Sequence, residues 1–228
     1  MPSISVVIPA LNEQSRLKRA LESTRDPRVE RIVVDGGSTD GTPESARFLR
    51  AERVLHSLPG RARQMEEGAR EARADVIVFL HADTRLGPGW QEAVLDALAD
   101  PQVAGGAFRL RFESDRPGFR VIEWAVRIRC RFFGLPYGDQ ALFVRRKLLA
   151  AIGGVPDTPI FEDLDLARAI RAHGRLALLP VQAFTSARRY EANGALRIWL
   201  RNTGALIGYL LDFDRARVAR WYARKPRE

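Results

Sequence analysis

The sequence predicts an α/β fold with a mostly parallel central sheet, helices on both faces and a helical C-terminal tail. Three observations predict it. Apolar or β-branched runs that stop at a polar loop and then give way to helical spacing recur at ISVVIP (4–9), RIVVDGG (31–37) and DVIVFLHADT (75–84). From GGAFRLRF (105–112) onward the texture changes to alternating apolar and polar residues, as in a half-exposed strand. From Ala195 to Tyr222 the pattern is that of one or two amphipathic helices. Strand and helix in regular alternation mark a parallel sheet covered on both sides.

Each element has a local cause. ISVVIP leads through ALNE to a helix that Asn12 is placed to cap. RIVVDGG leads to TPESARFLRA, where Thr42 and Pro43 form a cap and first-turn pair. RVLHS (53–57) is a weaker strand before the helical RARQMEEGAREA. DVIVFLHADT precedes a helix opened by Pro88, in which Trp90, Val94, Leu95 and Leu98 make an apolar stripe for the core. In the second half, VIEWAVRIRCRFF (121–133) is helical and GDQALFVRR (138–146) strand-like. PIFEDLDLARAIRAHG (159–174) is a helix ended by Gly174, and LALLPV (176–181) and AFTSARRY (183–190) are two further strands.

The 228 residues suffice for one sizeable domain with a buried core, and 46% hydrophobic against 29% charged residues is the balance of a folded chain. The net charge is +9, and all basic residues but Lys18, Lys147 and Lys225 are arginine. Arginine grips phosphates in two-pronged fashion, so phosphorylated ligands or an anionic membrane surface are admissible partners. The arginines are scattered among acids without forming a basic tail, which argues against nucleic acid. Cys130 is the one cysteine, which excludes a disulfide framework and points to a reducing, cytoplasmic compartment. MPSISVVIPALNE is expected to be a strand and not a secretory leader. TGALIGYLLDF (203–213) is too short to cross a membrane, though the tail could rest on its inner face or form a homodimer.

Ligands of an open parallel sheet bind at the carboxyl ends of its strands, where helix N-termini and loop N–H groups converge. Pro9 to Glu13, Asp35 to Asp40 and His81 to Thr84 all fall at that edge. The first loop, PALNEQS, is neither G-x-G-x-x-G nor G-x-x-x-x-G-K-[ST], which argues against a dinucleotide cofactor and a P-loop. Carboxylates in place of glycines suit sugar hydroxyls, base edges or a cation. Asp35 fits a ribose or base contact. An acid that only bonds its own turn describes Asp40 better. His81 and Asp83, two apart in extended chain, point the same way and could hold Mn2+ or Mg2+. In IFEDLDLA, Glu162, Asp163 and Asp165 crowd a helix start, where the macrodipole favours acids whatever their role. Asp163 sits between Phe161 and Leu164, which would keep it dry and basic enough to take a hydroxyl proton.

The ordered series SVVIPALNE, VVDGGSTDGT, GRARQMEEGA, VIVFLHADT, GDQALFV and FEDLDL resembles the family 2 nucleotide-sugar glycosyltransferases over roughly residues 3 to 190. The resemblance implies the GT-A fold in one domain: a nucleotide-binding half (1–104), an acceptor and catalytic half (105–190) and a tail (191–228). It implies a UDP- or GDP-linked sugar donor, a divalent cation and an acceptor hydroxyl. Carried over by motif, Pro9, Ala10, Asn12, Glu13 and Asp35 hold the nucleotide. Ala82 and Asp83 reach the diphosphate, and Asp83 with His81 holds the metal; the residues themselves add Gly60, which lets the backbone approach a ligand, Arg61 and Arg63, which could reach a diphosphate, and Arg188 and Arg189, which could do so from the other side. Asp163 is the base, and Gly106, Asp139, Gln140, Glu162 and Arg188 line the sugar and acceptor region. Two departures matter: His81 stands where the family usually has an aspartate, and SARRY replaces the Q-x-x-R-W of processive synthases, which argues against polymer synthesis. A nucleotidyltransferase of related topology and a non-catalytic nucleotide-sugar or membrane-associated binding protein remain the alternatives.

Overall fold

The computed structural model describes residues 2–223. In its first half, β1 (Ile4–Ala10) leads to α1 (Leu17–Ser23), β2 (Val29–Asp35) to α2 (Thr42–Phe48) and β3 (Arg53–His56) to α3 (Arg61–Glu71). β4 (Val76–Phe79) runs into a short β5 (Thr84–Leu86) and then α4 (Trp90–Ala99). The second half holds β6 (Val103–Phe112), α5 (Pro117–Phe133), a 3-10 turn (Gly138–Gln140), β7 (Leu142–Arg145), α6 (Arg146–Ala151) and α7 (Glu162–Arg171). β8 (Arg175–Thr185), α8 (Arg188–Asn193), α9 (Ala195–Leu210) and α10 (Arg215–Ala223) follow.

One eight-stranded sheet has the order β3-β2-β1-β4-β7-β6-β8-β5. The first four strands pair in parallel, as the alternation of sequence patterns requires. β7 enters antiparallel between β4 and β6, and β5 lies antiparallel to β8 at the edge. Both faces are covered. On one side Ile4, Val6 and Ile8 pack with Leu17, Trp90 and Phe143; on the other Val7, Ile32 and Val34 pack with Met65 and Ile170. Burial on both sides is why these strands read as continuous apolar runs.

Several expected boundaries move for identifiable reasons. The two strands expected over 176–190 are one, β8, with Pro180 and Val181 bulged out where Phe108 pairs with Leu179 and Arg109 with Gln182. Proline breaks the ladder without ending the strand. The RRY that was to finish a second strand opens α8 instead. Asn12 does not cap α1, which starts at Leu17 after Arg16, and Gly41 takes the cap before Thr42. The strand-like GDQ is the 3-10 turn. The tail forms α9 and α10, and residues 224–228 of that segment lie outside the described residues. No helix among the described residues is long and apolar enough to cross a membrane.

The ends of β1 and β2 are clamped by one buried side chain. Gln64 on α3 donates from Nε2 to the Ala10 carbonyl at 2.7 Å and the Val34 carbonyl at 2.8 Å. Gln64→Ala would leave both carbonyls buried without that donor, at about 2 kcal/mol. We expect a melting temperature lower by about 4–8 °C for a chain of this size. An unchanged thermal unfolding midpoint would show that water replaces the amide.

Candidate active site

The loops after β1 and β2 are stitched together. The Asn12 side-chain oxygen accepts from the Thr39 N–H at 2.9 Å, and the Asn12 N–H donates to Ser38 Oγ at 2.9 Å. The N–H of Glu13 donates to Thr42 Oγ1 and that of Gln14 to Asp40 Oδ2. Asn12 takes a left-handed φ of 55° to do so, a conformation asparagine tolerates better than most residues. Both acids of VVDGGSTDGT bond their own turn, Asp40 through the Thr42 N–H as the sequence suggested and Asp35 as well. Asp35 is buried and accepts the N–H groups of Gly37 and Ser38, so it shapes its own turn. Asp40 links the two loops through Thr42 and Gln14, and the hydrogen bond from the Thr42 hydroxyl holds its carboxyl below the usual range. Pro9 and Ala10 are buried within β1, and Ala82 is buried in the core.

Beyond β4 the chain presents His81 and Asp83 to a cavity of about 250 Å³, with Ala82 turned into the core between them. Arg61 from α3, Gly138 and Asp139 from the 3-10 turn, and Asp163 from α7 line the same cavity. Asp83 and Asp163, 80 positions apart in the sequence, therefore meet in one cleft. Asp163 is nearly buried: its Oδ2 accepts the Gly138 N–H at 2.6 Å and its Oδ1 the Leu164 N–H at 2.8 Å. Burial pushes its carboxyl upward, against the opposing pull of Arg61. It is presented by Phe161, a non-glycine residue with φ of 67° just before the helix. Gly138 passes so close that a methyl group there would stand 2.6 Å from His81 Nε2 and 3.2 Å from Asp163 Oδ2.

The electrostatics are those of a site short of positive charge. Burial raises Asp83, with Glu13 adding to the effect, and burial pushes Asp139 up to about 6 against the pull of Arg129. Asp139 Oδ1 is buried without a hydrogen-bond partner among the described residues. Burial, helped by the charge of Arg61, presses His81 down to about 3, so its imidazole is neutral and free to donate an electron pair. Arg61 pairs with the buried Glu162. Three carboxylates and a neutral imidazole around one cavity fit a divalent cation carried with a phosphorylated ligand. No group of three His, Cys, Asp or Glu among the described residues closes on a point as a metal cage, so Asp83 and His81 would hold a cation only with ligand and water completing its shell.

Three expected substrate contacts are placed otherwise. Gly106 is buried in mid-strand against Phe143 and the Ala177 carbonyl, so packing explains it. Gln140 donates to the Phe108 carbonyl and accepts from the Tyr137 N–H and Cys130 Sγ, holding the 3-10 turn in place. Arg188 reaches Glu13, while its neighbour Arg189 faces the cavity. Glu162 lies behind Arg61, and Gly60 beside it precedes α3 with φ of 136°. The sequence reading missed Tyr137, Tyr190, Asn202 and Tyr222, which complete the cavity wall. Tyr137 precedes the 3-10 turn, and the signal for the other three was the polar inner face of the tail helices, legible only once those helices are seen to close over the sheet edge.

The family model for glycosyl transferase family 2 matches residues 5–153, from β1 through β7 and α6. The chain belongs to that family. A relative from Mycobacterium tuberculosis, pre-mycofactocin glycosyltransferase, is 31% identical over 215 residues, covering 86% of this chain and 44% of the relative. The chain thus spans less than half of that relative's length. The fold is GT-A, shared with solved glycosyltransferases. A mannosyltransferase from Pyrobaculum calidifontis, solved with GDP-Man and Mn2+, aligns with a TM-score of 0.66 at 22% identity over 90% of this chain and 62% of that one. Glucosyl-3-phosphoglycerate synthase from M. tuberculosis, solved with Mn2+ and UDP-Glc, aligns with a TM-score of 0.63 at 21% identity over 93% and 80%.

Proposed function

We propose that this family 2 member is a non-processive, inverting glycosyltransferase that moves a sugar from a UDP- or GDP-linked donor to an acceptor hydroxyl. The observation that carries the reading is the meeting of Asp83, Asp139 and Asp163 in one cavity at the carboxyl edge of the sheet. The stitched loops from Asn12 to Thr42 frame the nucleotide, with Asp35 fixing the turn that would approach its ribose or base. Arg61 and Arg189 both line the cavity and supply the positive charge for the diphosphate. A divalent cation at Asp83 and His81 would, when bound, neutralise charge on the departing diphosphate.

Asp163 takes the proton of the acceptor hydroxyl as that oxygen bonds to the anomeric carbon. The bond from that carbon to the diphosphate oxygen breaks with its electron pair going to the nucleoside diphosphate. One displacement on the opposite face inverts the centre. Asp139, held partly protonated near neutral pH, is placed to bond sugar hydroxyls as donor or acceptor. The missing Q-x-x-R-W supports a single transfer over chain extension.

Incubation with UDP- and GDP-sugars and Mn2+ tests the reading. Slow release of free sugar and nucleoside diphosphate, with transfer to acceptor giving the opposite anomeric configuration by proton NMR, is the expected result. Release of pyrophosphate from a nucleoside triphosphate and sugar phosphate would instead indicate a nucleotidyltransferase. Asp83→Asn should weaken Mn2+-dependent UDP or GDP binding about tenfold, ~1.4 kcal/mol by calorimetry. Equal binding by the two proteins would remove Asp83 from the site.

A further inference from the structure

We propose that the outward face of α5, with the arginine-lined pocket beside it, docks this protein on a bilayer containing anionic phospholipid. α5 is apolar on two sides. Phe119, Ile122, Val126 and Cys130 are buried against Leu110 and Phe112 of β6. On the outer side Val121, Trp124 and Phe132 are 65%, 57% and 68% exposed, with Ala125 and Ile128 between them at helical spacing. Large apolar side chains aligned on an exposed helix face mark an interaction surface.

Next to this stripe a pocket of about 220 Å³ is lined by Arg109, Arg111, Arg120 and Arg127, with Trp124 at its side. Glu123 is the acid there and pairs with Arg111 at 3.2 Å and Arg120 at 2.8 Å. Arg109 and Arg127 have no carboxylate partner among the described residues, and the Nε of Arg109 is buried with no acceptor. An unanswered buried guanidinium N–H calls for an anion rich in oxygen. A phosphate headgroup set beside acyl chains supplies that anion and the cover for the stripe together. A second copy of the chain does not, because a two-fold contact would bring up the same face, whose acid, Glu123, is already paired with Arg111 and Arg120. Arginine stems also pack along the hydrocarbon boundary while their heads stay with phosphate.

Flotation with vesicles of phosphatidylcholine, with or without phosphatidylglycerol, tests this on the whole protein, and vesicle binding requires no transfer activity. The protein should float with the anionic vesicles and not with phosphatidylcholine alone, and high salt should release it. The double change Arg109→Gln with Arg127→Gln should lower partitioning roughly twenty-five-fold, from about fivefold per arginine at such a surface. Val121→Ser with Trp124→Ser should lower it at least as far, with circular dichroism and melting temperature unchanged. The proposal is overturned if inorganic phosphate binds but vesicles do not, or if the protein dimerises without binding vesicles. It is equally overturned if binding is lost only in Leu196→Ser with Leu200→Ser on α9.

Discussion

Asp163→Asn should lower the transfer rate about a thousandfold while nucleotide binding by calorimetry stays within a factor of two or so, the range general base catalysis contributes being ~10²–10⁴. The amide keeps the shape of the carboxylate. Its oxygen can still accept from the Gly138 N–H, but its NH2 then faces the Leu164 N–H, so a loss of about 1 kcal/mol in stability accompanies the change. The pH dependence separates this role from a structural one. Transfer needs the ionised carboxylate, and burial raises the pKa of Asp163, so the wild-type rate falls as pH drops through a value above the ordinary carboxylate range. The residual rate of Asp163→Asn should lack that acidic limb. If the limb and most of the rate survive, the base lies elsewhere, and Asp139, pushed up to about 6 in the same cavity, is the next residue to replace.

Gly106→Ala should destabilise the fold by about 3 kcal/mol or more, at the upper end of overpacking costs, and lower the melting temperature by roughly 6–12 °C. A β-carbon at this position would stand 2.2 Å from the Ala177 carbonyl oxygen and 2.6 Å from the Phe143 ring. The ring could turn. The carbonyl belongs to β8, paired in parallel with β6, and can retreat only if the ladder opens. The same variant discriminates between packing and ligand contact. Packing predicts a large thermal shift and a KM close to wild type at temperatures where the variant stays folded. A changed KM with an unchanged melting temperature would restore Gly106 to the acceptor region.

Local chemistry alone determined the strand-loop-helix alternation of the first hundred residues, because a doubly buried parallel strand must be an apolar run and its loop must be polar. It also determined the places at which chemistry could occur. His81, Asp83 and Asp163 stood out as polar residues at the ends or edges of apolar segments, and the ordered motifs carried the family. Tertiary structure decided what each of them touches. Asp40 gained the Gln14 N–H as a partner because the loops after β1 and β2 approach each other, and that approach is absent from either loop's own sequence. Gln140 became a clamp for its turn once Phe108 and Cys130 were brought beside it, and Tyr190, Asn202 and Tyr222 joined the cavity when the tail folded back. Spacing along the chain constrains neighbours within a turn or a strand. The distance between Asp83 and Asp163, and the burial that makes Asp163 a stronger base, arise only when β4, the 3-10 turn and α7 pack around one space.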